Sequence, residues 1–139
     1  MPYDPVLVAP MREELSDVGF TELKSPEEVE QFMAETSGTT FVVVNSVCGC
    51  AAGSARPGVL LAVQGAQSPD RLGTVFAGQD LDATAKLRGY VSSYPPSSPS
   101  FFLFKGGEVV HVVPRHQIEG RAPQEIAEVL SGAFAEFCG

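Results

Sequence analysis

Two cysteines separated by a single glycine are the residues of this sequence best suited to chemistry. Cys48 and Cys50 lie in the stretch FVVVNSVCGCAAG, which spans residues 41–53, and the chain has one further cysteine, Cys138. A cysteine thiolate acts both as a nucleophile and as a metal ligand. The pair is therefore a candidate redox couple, half of a candidate metal site, or two thiols packed in a core.

The residues around the cysteines indicate where the pair sits in the fold. Residues 39–47 predict a central strand that is covered on both faces. Residues 51–63 predict a helix that is irregular at Pro57 and Gly58. Cys48 would then lie at the carboxyl end of a strand, where reactive groups collect in open α/β sheets. The adjacent helix N-terminus lowers a thiol pKa, so we interpret Cys48 as the attacking thiol and Cys50 as the resolving thiol.

The alternatives to a redox pair differ in what they require. A zinc site needs about four ligands, and the other candidates, Cys138, His111 and His116, lack paired-ligand spacing. Inert packing is common for buried cysteines but is not typical of a strand-to-helix turn. A disulfide between Cys48 and Cys50 would close a ring with only one residue between the cysteines, and Gly49 permits the tight backbone that this ring requires. A disulfide in so small a ring would be strained and easily reduced, which suits disulfide exchange.

The remaining pattern predicts a single α/β domain over residues 1–139. A first helix is expected to begin at Pro10, and a second to follow Ser25, which forms a capping box with Glu28. After the cysteine helix come a strand over residues 72–78, a helix capped by Asp80 or Asp82, a hairpin of strands over 100–104 and 108–113, and a last helix that ends at Cys138. This order predicts a mixed four-stranded sheet with helices on both faces and two additional N-terminal helices.

Composition and charge exclude several classes of function. Hydrophobic residues make up 44% of the 139-residue chain, which argues against disorder. The formal net charge is −8 and no basic run occurs, so nucleic acid and anionic membrane are poor partners. The first residues lack the basic start and apolar stretch of a secretory signal, which predicts a cytoplasmic protein. Thiols stay mostly reduced there, so the cysteine pair is expected to be catalytic or metal-binding.

A second segment resembles a known structural element. The stretch SSPSFFLFKGGEVV, residues 97–110, is similar to the segment around the cis-proline of thioredoxins. In that fold the cis-proline packs beside the nucleophilic cysteine. The resemblance implies that Pro99 follows a cis peptide bond and that the backbone of Ser98 pairs with an extended substrate segment.

The resemblance extends over nearly the whole chain to one family. The segments VVVNSVCGCAAG, ARP, TVFAGQDLDATAKLR, PSSPS and EVVHVVPRHQIEG, followed by a near-terminal cysteine, resemble the bacilliredoxins, which are small disulfide isomerase-like proteins with two cysteines one residue apart. The resemblance implies a thioredoxin-like fold. It implies that Cys48 attacks mixed disulfides between client proteins and the thiol bacillithiol, that Cys50 then resolves the adduct, and that no bound cofactor is needed.

Two other functions are kept open at this point. A general protein disulfide isomerase or reductase would use the same thiols on other substrates. A non-enzymatic module that binds a metal or senses redox state would use Cys48, Cys50 and Cys138. The terminal cysteine is itself either a second resolving thiol, a site of intermolecular pairing, or an inert half-exposed residue.

Four further side chains are secondary candidates. Asn45 either hydrogen-bonds the active-site turn or is an ordinary polar residue at a strand end. Arg56 either adds positive potential near Cys48 or is exposed to solvent. Arg115 and His116 either recognise the carboxylates of bacillithiol, which carries a malate group, or order their own loop.

Overall fold

The computed structural model describes residues 3–65 and 67–138. The predicted domain also contains Met1, Pro2, Ala66 and Gly139, which lie outside the described residues. The α-helices of the described chain are α1 (Pro5–Ser16), α2 (Pro26–Ala34), α3 (Arg56–Val63), α4 (Leu81–Gly89) and α5 (Pro123–Phe137). The strands are β1 (Thr21–Glu22), β2 (Thr39–Asn45), β3 (Arg71–Phe76), β4 (Ser100–Lys105) and β5 (Glu108–Val113).

The sheet is mixed, as predicted, but it has five strands instead of four. Its order is β1-β3-β2-β4-β5. Strands β1, β3 and β2 are parallel, whereas β4 is antiparallel to both β2 and β5. The additional strand, β1, is only two residues long and pairs Thr21 with Gly73. Two residues are too few for a period-2 pattern, which explains why the sequence gives no signal for it.

Helices cover both faces of the sheet and enclose two apolar layers. On one face, residues from α1, α3 and α5 pack on Phe41 and Val43 of β2. On the other face, residues from α2 and α4 pack on Val42 and Val44. All seven residues of β2 are buried, so this strand is the central element of the fold. The prediction of a strand covered on both sides is confirmed.

Helix α1 begins five residues earlier than the predicted start at Pro10. Asp4 caps it by accepting a hydrogen bond from the Val6 amide at 2.9 Å, and Pro5 takes the first position. Pro10 lies inside the helix, where it cannot donate to the carbonyl of Val6. Val6 is 80% exposed, so water can satisfy that carbonyl.

The caps of α2 and α4 agree with prediction only in part. Ser25 Oγ accepts from the Glu28 amide at 3.2 Å, which confirms the cap, while the Glu28 carboxylate reaches the Lys24 amide at 3.0 Å. Asp80 stands at the N-cap of α4 without a capping hydrogen bond. Its carboxylate instead receives two hydrogen bonds from Arg12, at 2.7 and 2.9 Å. This long-range pair fastens α1 to the loop after β3.

Within the described ranges, no helix is long and apolar enough to cross a membrane.

Candidate active site

The two cysteines lie where the sequence predicts, between the end of β2 and the start of a helix. Strand β2 ends at Asn45, and the backbone is helical from Gly49 onward. The carbonyl of Cys48 accepts from the Ala51 amide at 3.1 Å and from the Ala52 amide at 3.2 Å. Both thiols are free and partly buried. The pair therefore begins a helix at the carboxyl end of the central strand.

The surroundings of the two thiols shift their pKa values in opposite directions. Burial alone would raise the pKa of Cys48, but hydrogen bonds from the Cys50 thiol, the Ser46 hydroxyl and the amides of Ala51 and Cys50 lower it below its ordinary value. Burial raises the pKa of Cys50, as do its hydrogen bond to Cys48 and the Cys48 charge. Cys48 is therefore the more readily deprotonated of the two thiols, which favours it as the nucleophile.

The helix that follows the cysteines begins with a π-helical segment. Residues Ala51–Ala55 are π-helical, and the Arg56 amide bonds to the Ala51 carbonyl five residues earlier. Pro57 comes directly afterwards and has no amide hydrogen for a regular helical bond. The sequence predicts an irregularity at Pro57 and Gly58, but both residues lie in the regular helix α3. The irregularity lies just before them, at Ala51–Ala55, and takes the form of a widened turn. Such turns are frequent at functional sites.

Arg56 is buried beneath the cysteine turn, and the interpretation of Arg56 as a solvent-exposed residue is wrong. The residue is 1% exposed. Its Nη1 donates to Asn45 Oδ1 at 2.9 Å and to the Ser46 carbonyl at 2.8 Å. Its Nε lies 3.2 Å from the Glu14 carboxylate of α1, in an orientation that gives an ion pair without a hydrogen bond. Arg56 thus ties α1 and α3 to the end of β2.

Asn45 and Ser46 carry this network to Cys48. Asn45 Oδ1 also accepts from the Ser46 amide at 2.8 Å, and its Nδ2 donates to the Met11 carbonyl at 3.2 Å. Ser46 Oγ in turn accepts from the Cys48 amide at 3.2 Å. Of the two readings left open for Asn45, this geometry agrees with a hydrogen bond to the active-site turn, at Ser46. The roles of Met11 and Glu14 have no signal in the sequence, because both contacts join residues more than thirty positions apart.

The loop before β4 contains the cis peptide bond that the resemblance implies. The bond between Ser98 and Pro99 is cis, and Pro99 is buried while Ser98 is partly exposed. The Ser98 carbonyl accepts from Arg115 Nη1 at 3.3 Å, and the Ser97 carbonyl accepts from Arg88 Nη2 at 3.2 Å. Among residues 3–65 and 67–138 we find no acceptor for the Ser98 amide. The sequence analysis does not predict the hydrogen bond from Arg88 to Ser97, because nothing in the residues around Arg88 indicates it.

Arg115 and His116 occupy a short 3-10 turn after β5, at Arg115–Gln117. The Arg115 amide donates to Ser97 Oγ at 3.2 Å, and its Nε lies 3.2 Å from the Glu119 carboxylate. The hydrogen bond with Glu119 raises the pKa of Arg115, and the charges of Cys50 and Cys48 raise it further. Arg115 therefore lies within electrostatic reach of both thiols.

His116 is exposed and faces a cavity beside the loop that precedes Pro99. Its side chain lines this cavity of about 350 Å³ together with Tyr94, Pro95 and Pro96. Neither cysteine lines that cavity. Of the two adjacent residues singled out in the sequence, Arg115 bonds the loop before Pro99 and His116 faces the cavity beside that loop.

Cys138 lies at the opposite end of the sheet. Burial raises the pKa of its thiol, although the neighbouring hydroxyl of Thr39, the first residue of β2, acts in the opposite direction. The seven residues of β2 span about 20 Å at roughly 3.3 Å per residue, and Cys48 follows its other end. Cys138 therefore cannot resolve an adduct on Cys48 of the same chain. In the described part of the chain, no three His, Cys, Asp or Glu residues are placed to hold a metal ion.

Comparison with known proteins agrees with this geometry. Residues 3–138 match the protein family described as disulphide isomerase. A bacilliredoxin of Bacillus licheniformis is 59% identical over 133 residues, which cover 95% of this chain and 92% of that protein. A bacilliredoxin of Geobacillus kaustophilus is 58% identical over 134 residues, covering 96% and 92%. The chain belongs to the bacilliredoxin family. It is a thiol–disulfide oxidoreductase, as the sequence predicts.

Solved structures confirm the fold. A thioredoxin of Arabidopsis thaliana in the oxidised state superposes with a TM-score of 0.56, at 17% identity, over 85% of this chain and 96% of that one. A mutant thioredoxin from Halobacterium salinarum gives a TM-score of 0.58, at 15% identity, over 88% and 93%. The bacilliredoxin chain described here therefore has the predicted thioredoxin-like fold, with one more strand than expected.

Proposed function

We propose that this protein removes bacillithiol from mixed disulfides on client proteins, with Cys48 as the attacking thiol and Cys50 as the resolving thiol. The observation that carries the proposal is the hydrogen-bonded, low-pKa thiol of Cys48 at the end of β2, with the free thiol of Cys50 two residues further along. The bacilliredoxin name of the relatives at 58–59% identity supports bacillithiol as the thiol concerned.

In the first step the Cys48 thiolate attacks the bacillithiol sulfur of the mixed disulfide. A disulfide forms between Cys48 and bacillithiol while the client disulfide breaks, and the client leaves as a thiolate that takes a proton from water. The client sulfur is reduced from a disulfide to a thiol and the Cys48 sulfur is oxidised from a thiol to a disulfide, so the electrons balance. The lowered pKa of Cys48 favours the thiolate that this step requires.

The adduct on Cys48 can be cleared in two ways. In the dithiol route the Cys50 thiol loses its proton and attacks the Cys48 sulfur, which forms a Cys48–Cys50 disulfide and releases bacillithiol. A reducing thiol then returns that disulfide to two thiols. In the monothiol route a second bacillithiol attacks the bound bacillithiol sulfur, releasing oxidised bacillithiol and the Cys48 thiolate. Both routes move electrons through sulfur alone, so we propose no bound cofactor.

The cis-proline loop is proposed to hold the client. The Ser98 amide has no acceptor in the described ranges, so an extended client segment can accept from it as an added strand would. Pro99 has no amide hydrogen and would shape this loop beside the thiols. Client proteins and a low-molecular-weight thiol are thus the proposed partners. A cytoplasmic location stays a prediction from the sequence.

Intact-mass spectrometry of the Cys50→Ser protein tests the proposal. The variant is mixed with a model protein that carries one bacillithiol, with Cys48→Ser as the matched control. We expect a mass gain of one bacillithiol on Cys48 and release of the client thiol, and no gain in the control. Transfer at full rate to the Cys48→Ser protein would overturn the assignment of Cys48.

The family description favours one second candidate, a general disulfide isomerase. A client with scrambled disulfides distinguishes the two functions. If the protein reshuffles that client efficiently while Cys48 gains no bacillithiol, and a protein–protein mixed disulfide accumulates instead, the isomerase is the better assignment.

A further inference from the structure

The cavity that His116 faces is apolar and lies beside the cis-proline loop. Its volume of about 350 Å³ falls at the small end of the range of ligand sites, which is roughly 300–1,000 Å³. Rings and aliphatic groups make up most of its wall: Tyr94, Pro95, Pro96, Phe102, Val112 and Pro114. Concave apolar sites with a few polar groups are the usual form of a binding site, and the thiol chemistry derived above does not use this one.

Two serines join the cavity to the cis-proline loop. Ser97 and Ser100 both line the cavity, and the cis bond between Ser98 and Pro99 lies between them in the chain. The Ser100 hydroxyl donates to the Ser97 carbonyl at 2.9 Å, which holds the two sides of the loop together. An extended chain advances about 3.3 Å per residue. A client segment that pairs with Ser98 therefore has neighbouring residues within reach of the cavity.

The cavity is separate from the cysteine turn. Its wall contains Phe102 and Val112, which belong to the apolar layer between the sheet and helices α2 and α4. Helix α3, which follows the cysteine turn, packs in the layer on the opposite face of the sheet. The cavity is therefore suited to contact a part of the client other than the cysteine that reacts.

The charges around the cavity limit what it can hold. The chain has 17 acidic residues and nine lysines and arginines, but none of those that the structure describes lines the cavity. A carboxylate, a phosphate or an ammonium group would lose water there without gaining an opposite fixed charge. An uncharged apolar group has no such cost and gains free energy from burial. The occupant that fits the wall is therefore an uncharged apolar group.

The wall of the cavity is rigid. Pro95, Pro96 and Pro114 have fixed φ angles, and Phe102 is only 6% exposed. A site that is already formed binds with less loss of conformational freedom. Tyr94 completes the wall with a large amphipathic ring. The cavity is thus a preformed apolar site next to the loop where a client chain is expected.

We propose that this cavity is a specificity subsite that takes one large apolar side chain of the client polypeptide, such as leucine or phenylalanine, a few residues from the cysteine that Cys48 attacks. This inference rests on the proposed function, because the client segment is the one that pairs with Ser98. Disulfide exchange with a protein brings a polypeptide to this loop, and the cavity adds a requirement for an apolar residue near the modified cysteine.

A set of client peptides tests the subsite. Each peptide carries bacillithiol on a single cysteine in a background of glycine and serine. In each variant peptide one serine near the cysteine, on either side, is replaced by phenylalanine. Transfer of bacillithiol to Cys48 in the Cys50→Ser protein is followed by intact mass, at concentrations where the rate is proportional to peptide. We expect phenylalanine at one position to raise the rate about tenfold over serine, because burial of its ring strengthens peptide binding.

Two exposed tyrosines provide a matched pair of protein variants. Tyr94 lines the cavity and is 42% exposed, whereas Tyr90 is 41% exposed and lines a different hollow, next to Lys86. The ratio of the phenylalanine rate to the serine rate should fall towards one in Tyr94→Ala and should stay at the parent value in Tyr90→Ala. The rate with the serine peptide should be the same in both variants.

Val112→Phe fills the cavity from strand β5 and should also lower the ratio. If Tyr94→Ala keeps the parent ratio, or if Tyr90→Ala lowers it as much, the inference is overturned. A folded Val112→Phe protein that keeps the ratio would likewise show that the phenylalanine binds elsewhere. Tyr94→Ala changes a half-exposed side chain, so it decides the question by itself if Val112→Phe does not fold.

Failure of the underlying function would look different. If no peptide transfers bacillithiol to Cys48 of the Cys50→Ser protein, the proposed function fails at Cys48, and the subsite that rests on it is rejected too. If all peptides transfer it at equal rates, exchange stands and the apolar subsite alone is rejected.

Discussion

Arg56 Nη1 lies 2.9 Å from Asn45 Oδ1, so a buried cation of helix α3 holds the last residue of strand β2. The same nitrogen bonds the Ser46 carbonyl at 2.8 Å, and Ser46 in turn accepts from the Cys48 amide. The nucleophile is thus linked to the core through two polar residues. Because the Ser46 hydroxyl also lowers the pKa of Cys48, the position of Ser46 affects the chemistry as well as the packing.

Replacing Arg56 with Met should therefore affect both stability and reactivity. The Ser46 carbonyl would lose its partner, which should lower the free energy of unfolding by about 1–3 kcal/mol. The freed Ser46 would hydrogen-bond Cys48 less well, so the pKa of Cys48 should rise. Titration of the Cys48 thiolate by absorbance at 240 nm in the Cys50→Ser background measures the second effect.

Two further variants make this result interpretable. Gly58→Ala should destabilise the same helix without touching Ser46, so its Cys48 titration should match that of the parent. Arg56→Lys keeps the charge but lacks the planar fork, and it should fall between the parent and Arg56→Met. A folded Arg56→Met protein whose Cys48 titrates normally would limit Arg56 to a packing role.

The pH dependence of Cys48 reactivity should depend on Cys50. The Cys50 thiol donates a hydrogen bond to the Cys48 thiolate and lowers its pKa. Cys50→Ala removes that donor, so the pKa of Cys48 should rise and the rate of alkylation by iodoacetamide should shift to higher pH. At neutral pH the thiolate fraction, and hence the rate, should fall. Well above both pKa values the rates of the two proteins should converge.

Cys50→Ser is the informative comparison for that experiment. A serine hydroxyl can still donate to the thiolate, so its alkylation profile should lie closer to that of the parent than the profile of Cys50→Ala does. Superimposable profiles for Cys50→Ala and the parent would show that Cys50 does not activate Cys48.

The local pattern of the sequence was sufficient to locate the cysteine pair. Apolar residues at 41–44 predict the buried strand, and the helix signals after Cys50 predict the turn, because both features depend on neighbouring residues. The cis bond before Pro99 came instead from resemblance to the thioredoxin loop. Asp80 shows the limit of local reasoning. Its position suits a cap, but its carboxylate is bound by Arg12, which is 68 residues away.

The burial of Arg56 depends on a feature that local patterns do not specify. A π-helical turn holds one residue more than an α-helical turn, so it rotates the following side chains by about 100° relative to those before it. The segment Ala51–Ala55 is such a turn. A regular helix drawn through Cys50 therefore assigns the wrong face to Arg56, and an exposed arginine is then the natural expectation.

Gly58 should be required for the contact between α3 and α5. A Cβ at this position would come within 2.5 Å of the Ile126 side chain and 3.2 Å of the Pro123 carbonyl. Gly58→Ala should therefore lower the free energy of unfolding by roughly 1–3 kcal/mol through overpacking. Gly132→Ala, in α5, is the matched control, since a Cβ there meets nothing within 4 Å. It should stabilise by about 0.5–1 kcal/mol. Urea denaturation of both variants measures the difference, and equal effects would contradict the close contact.

The Arg12–Asp80 pair should contribute measurably to stability, unlike the exposed pairs. Its side chains are 16% and 10% exposed, and the Arg12 guanidinium also lies 5.4 Å from the centre of the Phe76 ring. Arg12→Met leaves Asp80 partly buried and unpaired, which should cost about 1–3 kcal/mol in urea denaturation. Lys86→Met breaks a pair at 3.9 Å that is 40% and 69% exposed, and should change stability by less than about 0.5 kcal/mol. If Arg12→Met lowers the free energy of unfolding by no more than Lys86→Met does, then α1 is held by its apolar contacts alone.

Cys138 should be dispensable for the thiol chemistry. Its thiol lies next to Thr39, one full strand length from the turn that carries Cys48, and burial raises its pKa. Cys138→Ser should therefore leave the rate of bacillithiol transfer to Cys48 unchanged, and Cys138 should react with iodoacetamide more slowly than Cys48 at neutral pH. Peptide mapping after a short alkylation pulse gives the order of the three. A transfer rate that falls several-fold in Cys138→Ser, and that depends on protein concentration in the parent, would instead show that Cys138 acts on the pair of a second molecule.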